Sequence, residues 1–292
     1  MALRSAFDLA RFFFDASWAT GEYASKLALD PVLRRMAPRA PKPMAVLTLP
    51  GFGGPEISLN PLNAFLNQQG FLAEGWGLGT NKGPRDEASL PEMIERLEPK
   101  LERLAEQTGG KVALVGQSLG GIYARELARA LPHLADRVIT LGSPAYLRRD
   151  GIDQLNAILP VAMRWITGKK PEDHLEDHPE AQIHAAPPVP LVAIFSALDG
   201  VASAKTTAIP AGELTFEGAL PRENIQITGS HIGMAVNPLV LVAVADRLLV
   251  DPGAWKAFDA AAYLPGLSKA MASVFYPSRR HAAFQRFPRK TP

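Results

Sequence analysis

Residues 111–121 read KVALVGQSLGG, and this stretch decides the fold that the rest of the sequence predicts. Val112–Val115 is a short apolar run rich in β-branched residues, which is typical of a strand buried on both faces. The run leads into a G-x-S-x-G pattern at residues 116–120, and the helical pattern Leu119–Leu131 follows at once. The sequence therefore predicts a sharp strand-to-helix turn that lifts the hydroxyl of Ser118 above the carboxyl edge of a sheet.

Strand and helix patterns alternate on both sides of this turn. The predicted strands lie at residues 45–49, 71–76, 112–115, 138–141, 191–196 and 224–228, and the predicted helices at 59–69, 90–107, 119–131 and 238–250. This order predicts an α/β fold, with a mostly parallel sheet covered by helices on both faces. Residues 44–255 form the predicted core, and an insertion at about 145–190 is interpreted as a helical lid over the carboxyl ends of the strands.

Composition restricts the class of protein. The chain has 292 residues, of which 47% are hydrophobic and 21% charged, as in ordinary soluble globular proteins. A net charge of +2 is too small to indicate nucleic acid as the main partner, and the lack of cysteine excludes disulfides and thiolate chemistry. Arg4 and Asp8 interrupt the first residues, unlike the apolar region of a signal peptide, so we expect a cytoplasmic protein.

The first 43 residues predict a helical extension followed by a proline-rich linker. A helix is expected over Leu3–Leu29, with a break near Gly21. Its apolar positions recur at helical spacing and comprise Leu3, Phe7, Ala10, Phe14 and Trp18. Two charge pairs at i,i+4 spacing are expected on another stripe of the helix, Arg4–Asp8 and Arg11–Asp15.

Two roles for this helix stay open. Its apolar side could pack on the core or on a second copy of the chain, which would make a homo-oligomer. Alternatively, the bulky run Phe12–Phe14 could lie on a lipid surface. The predicted tail, residues 256–292, offers the same choice between a solvated end and attraction to an anionic membrane. Its basic residues are Lys269, Arg279, Arg280, Arg286, Arg289 and Lys290.

A serine hydroxyl is a poor nucleophile at neutral pH, so it needs a base and a group that orients the base. His231 directly follows a predicted core strand, in a Gly-Ser-His-Ile-Gly turn, and is the candidate base. Asp199 lies between serine and histidine in the chain, at the end of another strand, and is the candidate acid. The backbone N–H groups of Phe52 and Leu119 are the expected donors to an oxyanion.

Together these motifs resemble an α/β-hydrolase of the serine esterase/lipase type. They are similar to a bacterial lipase-like branch related to glycosylphosphatidylinositol deacylases. The landmarks are Gly51-Phe52-Gly53, Gly116-Gln117-Ser118-Leu119-Gly120-Gly121, Leu141-Gly142-Ser143-Pro144, Asp199-Gly200 and Gly229-Ser230-His231. One departure is Pro50, where many relatives carry histidine before the glycine.

The resemblance implies ester hydrolysis through a serine acyl-enzyme, with no metal and no organic cofactor. The apolar lid residues predict a pocket for medium-chain, long-chain or aromatic acyl groups of a small-molecule or lipid-like ester. These pocket residues are Leu155, Ile158, Leu159, Met163, Trp165 and Ile166. Two other functions stay open, an acyltransferase that uses the same three residues and a homologue that binds a ligand or lipid without catalysis.

Overall fold

The computed structural model describes residues 2–83, 89–144, 186–215, 220–263 and 276–277. The helices are α1 (Ala2–Met36), α2 (Asn60–Gln68), α3 (Ser89–Thr108), α4 (Leu119–Ala130), α5 (Ala204–Thr207) and α6 (Pro238–Leu249). The strands are β1 (Ala45–Leu49), β2 (Leu72–Gly75), β3 (Val112–Gln117), β4 (Ala135–Leu141), β5 (Leu191–Ser196) and β6 (Arg222–Ile227). The strand–helix alternation predicted from the sequence is therefore present. The predicted lid pocket lies outside the described residues.

All six strands pair in parallel, in the order β2-β1-β3-β4-β5-β6. The chain first runs from β1 outward to β2, and it then crosses back to add β3 on the other side of β1. The strand order therefore reverses between β1 and β3, and the loops after these two strands lie at the carboxyl edge of the sheet. Open parallel sheets bind their ligands at this kind of switch point.

Buried apolar side chains fill both faces of the sheet. Along β1, Ala45, Leu47 and Leu49 join the cluster that packs against α3 and α4, whereas Val46 joins the cluster on the opposite face. That opposite face is covered by α2, α6 and the end of α1. Two covered faces explain why the central strands read as continuous apolar runs rather than as alternating patterns.

The predicted N-terminal helix is longer than the sequence indicated and continues past Gly21. A glycine inside a helix costs about 1 kcal/mol relative to alanine. Here the residues on both sides of it, Asp15 and Glu22, are buried and hydrogen-bonded to the core, which offsets that cost. No helix in the described ranges combines the length and apolar content that crossing a membrane requires.

The orientation of α1 also differs from the expectation. Phe14 and Trp18 belong to the predicted apolar stripe, for which packing on the core was one of the open roles, and both are exposed, while Asp15 is buried. Arg11 does not form the expected surface pair with Asp15, because its guanidinium donates to the carbonyl of Asp199 at 2.9 Å. The helix therefore packs on the rest of the chain through Asp15 and Glu22 along its middle and through Leu33 near its end.

The first part of the predicted tail packs against α6. Glu223 of β6 accepts hydrogen bonds from Arg247 of α6, at 2.6 Å, and from the N–H of Phe258 in the tail, at 2.6 Å. The hydroxyl of Tyr276 donates to the carbonyl of Leu239 at 2.7 Å, and its ring lies 5.0 Å from that of Phe258. Aromatic and polar contacts thus extend the core beyond its last helix.

Candidate active site

The turn between β3 and α4 holds Ser118 in a strained backbone conformation. Its φ is 51° and its ψ is −123°, and within the described residues it is the one non-glycine residue with positive φ. Such conformations cost about 1–3 kcal/mol and persist where the surrounding structure enforces them. The N–H of Ser118 donates to the carbonyl of Leu141 at 2.9 Å, which fixes the turn to the neighbouring strand.

The glycines of the G-x-S-x-G-G motif are required by close packing. A Cβ at Gly116 would overlap the carbonyl of Gly120, and one at Gly120 would overlap the carbonyl of Leu49. A Cβ at Gly121 would lie 2.5 Å from the side chain of Ser143. The motif therefore lets β1, β3 and α4 meet tightly beneath the serine.

The loop after β1 passes directly against Ser118. A Cβ on Gly51 would lie 3.1 Å from the Cβ of Ser118 and 3.9 Å from its hydroxyl oxygen, and a turn begins at the next residue, Phe52. Leu119 is the first residue of α4, and its N–H therefore lies at a helix N-terminus, where donors have no partner within the helix. Leu119 thus directly follows the serine, and Phe52 follows the glycine that packs against it.

Asn81 holds this loop in place and was missed by the sequence reasoning. Its side-chain amide donates to the carbonyl of Pro50 at 2.7 Å, and its carbonyl accepts from Gly53 N–H at 2.7 Å. Its own N–H donates to the carbonyl of Gly54 at 3.0 Å. Asn81 is buried, yet it lies in an irregular loop beyond β2, where no periodic pattern marks a residue as functional.

Asp199 and His231 form a buried pair. The Oδ2 atom of Asp199 lies 2.7 Å from Nδ1 of His231, and the aspartate is 1% exposed. Its other oxygen accepts N–H groups of Val201 at 2.8 Å and Ala202 at 2.7 Å. This arrangement places the imidazole proton on Nδ1, so that Nε2 is left as a hydrogen-bond acceptor.

Burial and neighbouring charges act in opposite directions on the pKa of His231. Burial lowers it, but the charge and hydrogen bond of Asp199, together with the charge of Asp15, outweigh burial and raise the pKa above its ordinary value. The imidazole in this site is therefore a stronger base than a free histidine.

Two further contacts join the histidine loop to the strands below it. The side-chain amide of Gln117, the residue before Ser118, donates to the carbonyl of His231 at 2.9 Å. Gly142, which follows β4 with a φ of 55°, lies beneath the acid–base pair. A Cβ at Gly142 would lie 3.0 Å from Nδ1 of His231 and 3.1 Å from Oδ2 of Asp199.

Two carboxylates from α1 also reach this region, and the sequence reasoning assigned neither of them a role. Asp15 accepts the N–H of His231 at 2.7 Å, and Glu22 accepts the N–H of Ser230 at 3.0 Å. No periodicity signal identifies them, because a charged residue on an amphipathic helix usually faces solvent.

Two further points concern the predicted lid pocket and possible metal ligands. The six apolar residues proposed for the pocket, between Leu155 and Ile166, lie outside the described residues. Within the described part of the chain, no three histidine, aspartate or glutamate side chains come together in a way that could hold a metal ion.

The strand order, the strained turn at Ser118 and the position of the loops that carry Asp199 and His231 are those of the α/β-hydrolase fold. No protein-family model matches the sequence, and no curated protein matches it.

Several solved structures overlap with the chain. A lipase-esterase related protein from Clostridium acetobutylicum is 17% identical, with a TM-score of 0.46, and covers 73% of this chain and 96% of its own. The mature lipase BlEst2 of Bacillus licheniformis is 16% identical, with a TM-score of 0.47, and the match covers 73% of this chain and 94% of the lipase. The thioesterase domain from the curacin biosynthetic pathway is 13% identical, with a TM-score of 0.46, and the match covers 73% of this chain and 93% of that domain. These scores are low, so the fold assignment rests on the topology and geometry of the chain itself.

Proposed function

We propose that the protein is a serine hydrolase of carboxylic esters in which Ser118 is the nucleophile, His231 the general base and Asp199 the orienting acid. The observation that carries this proposal is the buried hydrogen bond between Asp199 and His231, at 2.7 Å, where the loop of His231 is hydrogen-bonded to Gln117, the residue before a serine held at positive φ. A core without catalysis has no need of either feature, because a strained turn and a buried charge both reduce stability.

In the proposed reaction, Ser118 Oγ attacks the ester carbonyl while Nε2 of His231 takes its proton. The carbonyl oxygen becomes an oxyanion, which accepts hydrogen bonds from the N–H groups of Phe52 and Leu119. Collapse of this intermediate releases the alcohol, which receives the proton from His231. A water molecule then attacks the acyl-enzyme by the same route and frees the acid and Ser118.

The preference for apolar acyl or aromatic esters is part of the same proposal. Leu198, the residue before the acid, and Ile232, the residue after the base, are large apolar side chains that are exposed. Exposed apolar side chains on both loops support a rim that favours apolar substrates over charged ones.

Labelling with a fluorophosphonate, together with hydrolysis of p-nitrophenyl esters of increasing chain length, tests the proposal. We expect the wild type to be labelled and active, and Ser118→Ala to lose both properties while its melting temperature stays close to the wild-type value. Ser58→Ala, which removes a serine hydroxyl beyond the loop after β1, is the matched control and keeps both properties. Labelling of the Ser118→Ala variant, or its full activity, would refute the mechanism.

A further inference from the structure

We propose that α1 is a positioning element of the active site, in which Asp15 and Glu22 hold the backbone of the histidine loop in its working position. This inference rests on the proposed function of Ser118, Asp199 and His231. It assigns a catalytic purpose to a helix that lies outside the α/β core, and it names two positioning residues in addition to the three that carry the chemistry.

The spacing of the two carboxylates places them on one face of the helix. They are seven residues apart, which is about two turns at 3.6 residues per turn. Asp15 is 1% exposed and Glu22 is 5% exposed. Burying a carboxylate is unfavourable unless hydrogen bonds replace its water, so the partners of each group show what the burial achieves.

Asp15 joins the loop of the acid to the loop of the base. Its Oδ2 atom accepts the N–H of Gly200 at 2.9 Å and the N–H of His231 at 2.7 Å. Its Oδ1 atom accepts the N–H of Ile232 at 2.9 Å. One side chain thus satisfies three backbone donors that border Asp199 and His231. A backbone donor that is left buried without a partner destabilises the fold, so these contacts favour one position of both loops.

Glu22 holds the other side of the same loop. Its carboxylate accepts the N–H of Ser230, at 3.0 Å, and the hydroxyl of that residue. It also accepts the side-chain amide of Asn237 at 2.6 Å, and Asn237 in turn caps α6 by accepting the N–H of Leu239 at 2.8 Å. The histidine loop is therefore fixed to α1 at three consecutive residues, 230–232.

Three glycines in the acid and base loops make room for the helix. A Cβ at Gly200 would lie 2.6 Å from the carbonyl of Arg11. One at Gly229 would lie 2.4 Å from the amide nitrogen of Asn237 and 2.6 Å from its partner, Glu22 Oε1. A Cβ at Gly233 would overlap the carboxylate of Glu22. The glycines that follow the acid and surround the base are thus matched to α1, which shows that the loops and the helix fit as one unit.

Charge gives Asp15 an effect that a purely structural contact lacks. The charged groups of the described residues that face His231 are Asp199, from the loop after β5, and Asp15, from α1. The charge of Asp15 contributes to the raised pKa of His231. A positioning role therefore predicts changes in both the rate and the pH dependence of the reaction, whereas a structural anchor would change only stability.

Asp15→Asn separates these roles, because its amide nitrogen cannot accept an N–H and its charge is gone. In the folded full-length protein, we expect kcat to fall about 10–100-fold with KM nearly unchanged, as a misplaced catalytic group predicts. Loss of the negative charge lowers the pKa of His231, so the acidic limb of kcat/KM should move to lower pH. Asp30→Asn is the matched control, because Asp30 pairs with Lys26 and Arg34 on α1 itself.

The outcomes are distinct from those of the proposed function. If the wild type is not labelled by fluorophosphonate, the proposed function fails and this inference fails with it. If the wild type is labelled and folded Asp15→Asn retains the wild-type kcat and acidic limb, only the positioning role is overturned. Should Asp15→Asn not fold, Glu22→Gln decides, because it keeps the size and one acceptor oxygen of Glu22. A fall in its kcat at unchanged KM supports the inference, and a wild-type kcat overturns it.

Discussion

Asp199→Asn is the substitution whose effect follows most directly from the geometry of the site. One oxygen of Asp199 accepts two backbone N–H groups, from Val201 and Ala202, and the other faces Nδ1 of His231. An amide NH₂ group cannot replace the oxygen that accepts two donors. The asparagine oxygen must therefore take that position, and its NH₂ group must point at His231.

This orientation forces the wrong tautomer on the histidine. An NH₂ donor facing Nδ1 requires Nδ1 to accept, which moves the imidazole proton to Nε2, the atom that must receive the serine proton. An acid-to-amide change that fixes the wrong tautomer costs about 10⁴-fold in kcat. That factor corresponds to about 5 kcal/mol of transition-state stabilisation. The loop itself keeps its two backbone hydrogen bonds, so the fold should be retained.

The assay combines steady-state hydrolysis of a p-nitrophenyl ester with nitrogen NMR of the imidazole. We expect Asp199→Asn to lose about 10⁴-fold in kcat, with the proton on Nε2. Asp251→Asn is the matched control, because Asp251 also accepts a backbone N–H, from Gly253, but lies in an exposed turn. If Asp199→Asn keeps a kcat within tenfold of the wild type, Asp199 is not the orienting acid.

Two further predictions follow from the same loops. The pKa of His231 is raised, and only the neutral imidazole accepts a proton. The acidic limb of wild-type kcat/KM should therefore lie above pH 6.5, the ordinary pKa of histidine. A pH–rate profile whose acidic limb lies below pH 6.5 contradicts the pairing with Asp199. Asn81→Ala removes the donor to the Pro50 carbonyl and the acceptor of Gly83 N–H, so we expect about 1–3 kcal/mol of destabilisation in a denaturant melt. The same variant should lose about tenfold or more in kcat through displacement of Phe52, and unchanged activity would show that Asn81 does not hold the oxyanion loop.

The sequence predicted the α/β framework because its signals are local. A buried parallel strand is a short apolar run, and the elbow at Ser118 is a run of glycines around a serine between a strand and a helix. Asp199 and His231 also follow directly from their strands, and their meeting at 2.7 Å results from the parallel order of β5 and β6. Parallel neighbours end at the same edge of the sheet, so residues placed after each strand come together.

The role of α1 could not be read in the same way. Its aromatic residues predicted an apolar stripe that faces the core, a second copy of the chain or lipid. Phe14 and Trp18 are exposed, so this stripe does not face the core, and the buried stripe contains Asp15 and Glu22. A hydrophobic period identifies which face of a helix avoids water, but it assumes that the surface beneath is apolar. Here that surface is a set of loop N–H groups that must be satisfied, so carboxylates are the side chains that fit.

The glycines on both sides of His231 were predicted as turn residues, but the structure gives a further reason for them. Gly229 and Gly233 read as ordinary turn residues around His231, and a turn alone would require at most one of them. Neither has positive φ, so the reason for glycine is space rather than backbone conformation. At Gly233 the space is filled by Glu22, from a helix more than 200 residues away in the chain, and at Gly229 it is filled by Glu22 together with Asn237. A small residue without a conformational need, next to a candidate catalytic histidine, thus indicates that another segment approaches closely, and in this protein that segment is α1.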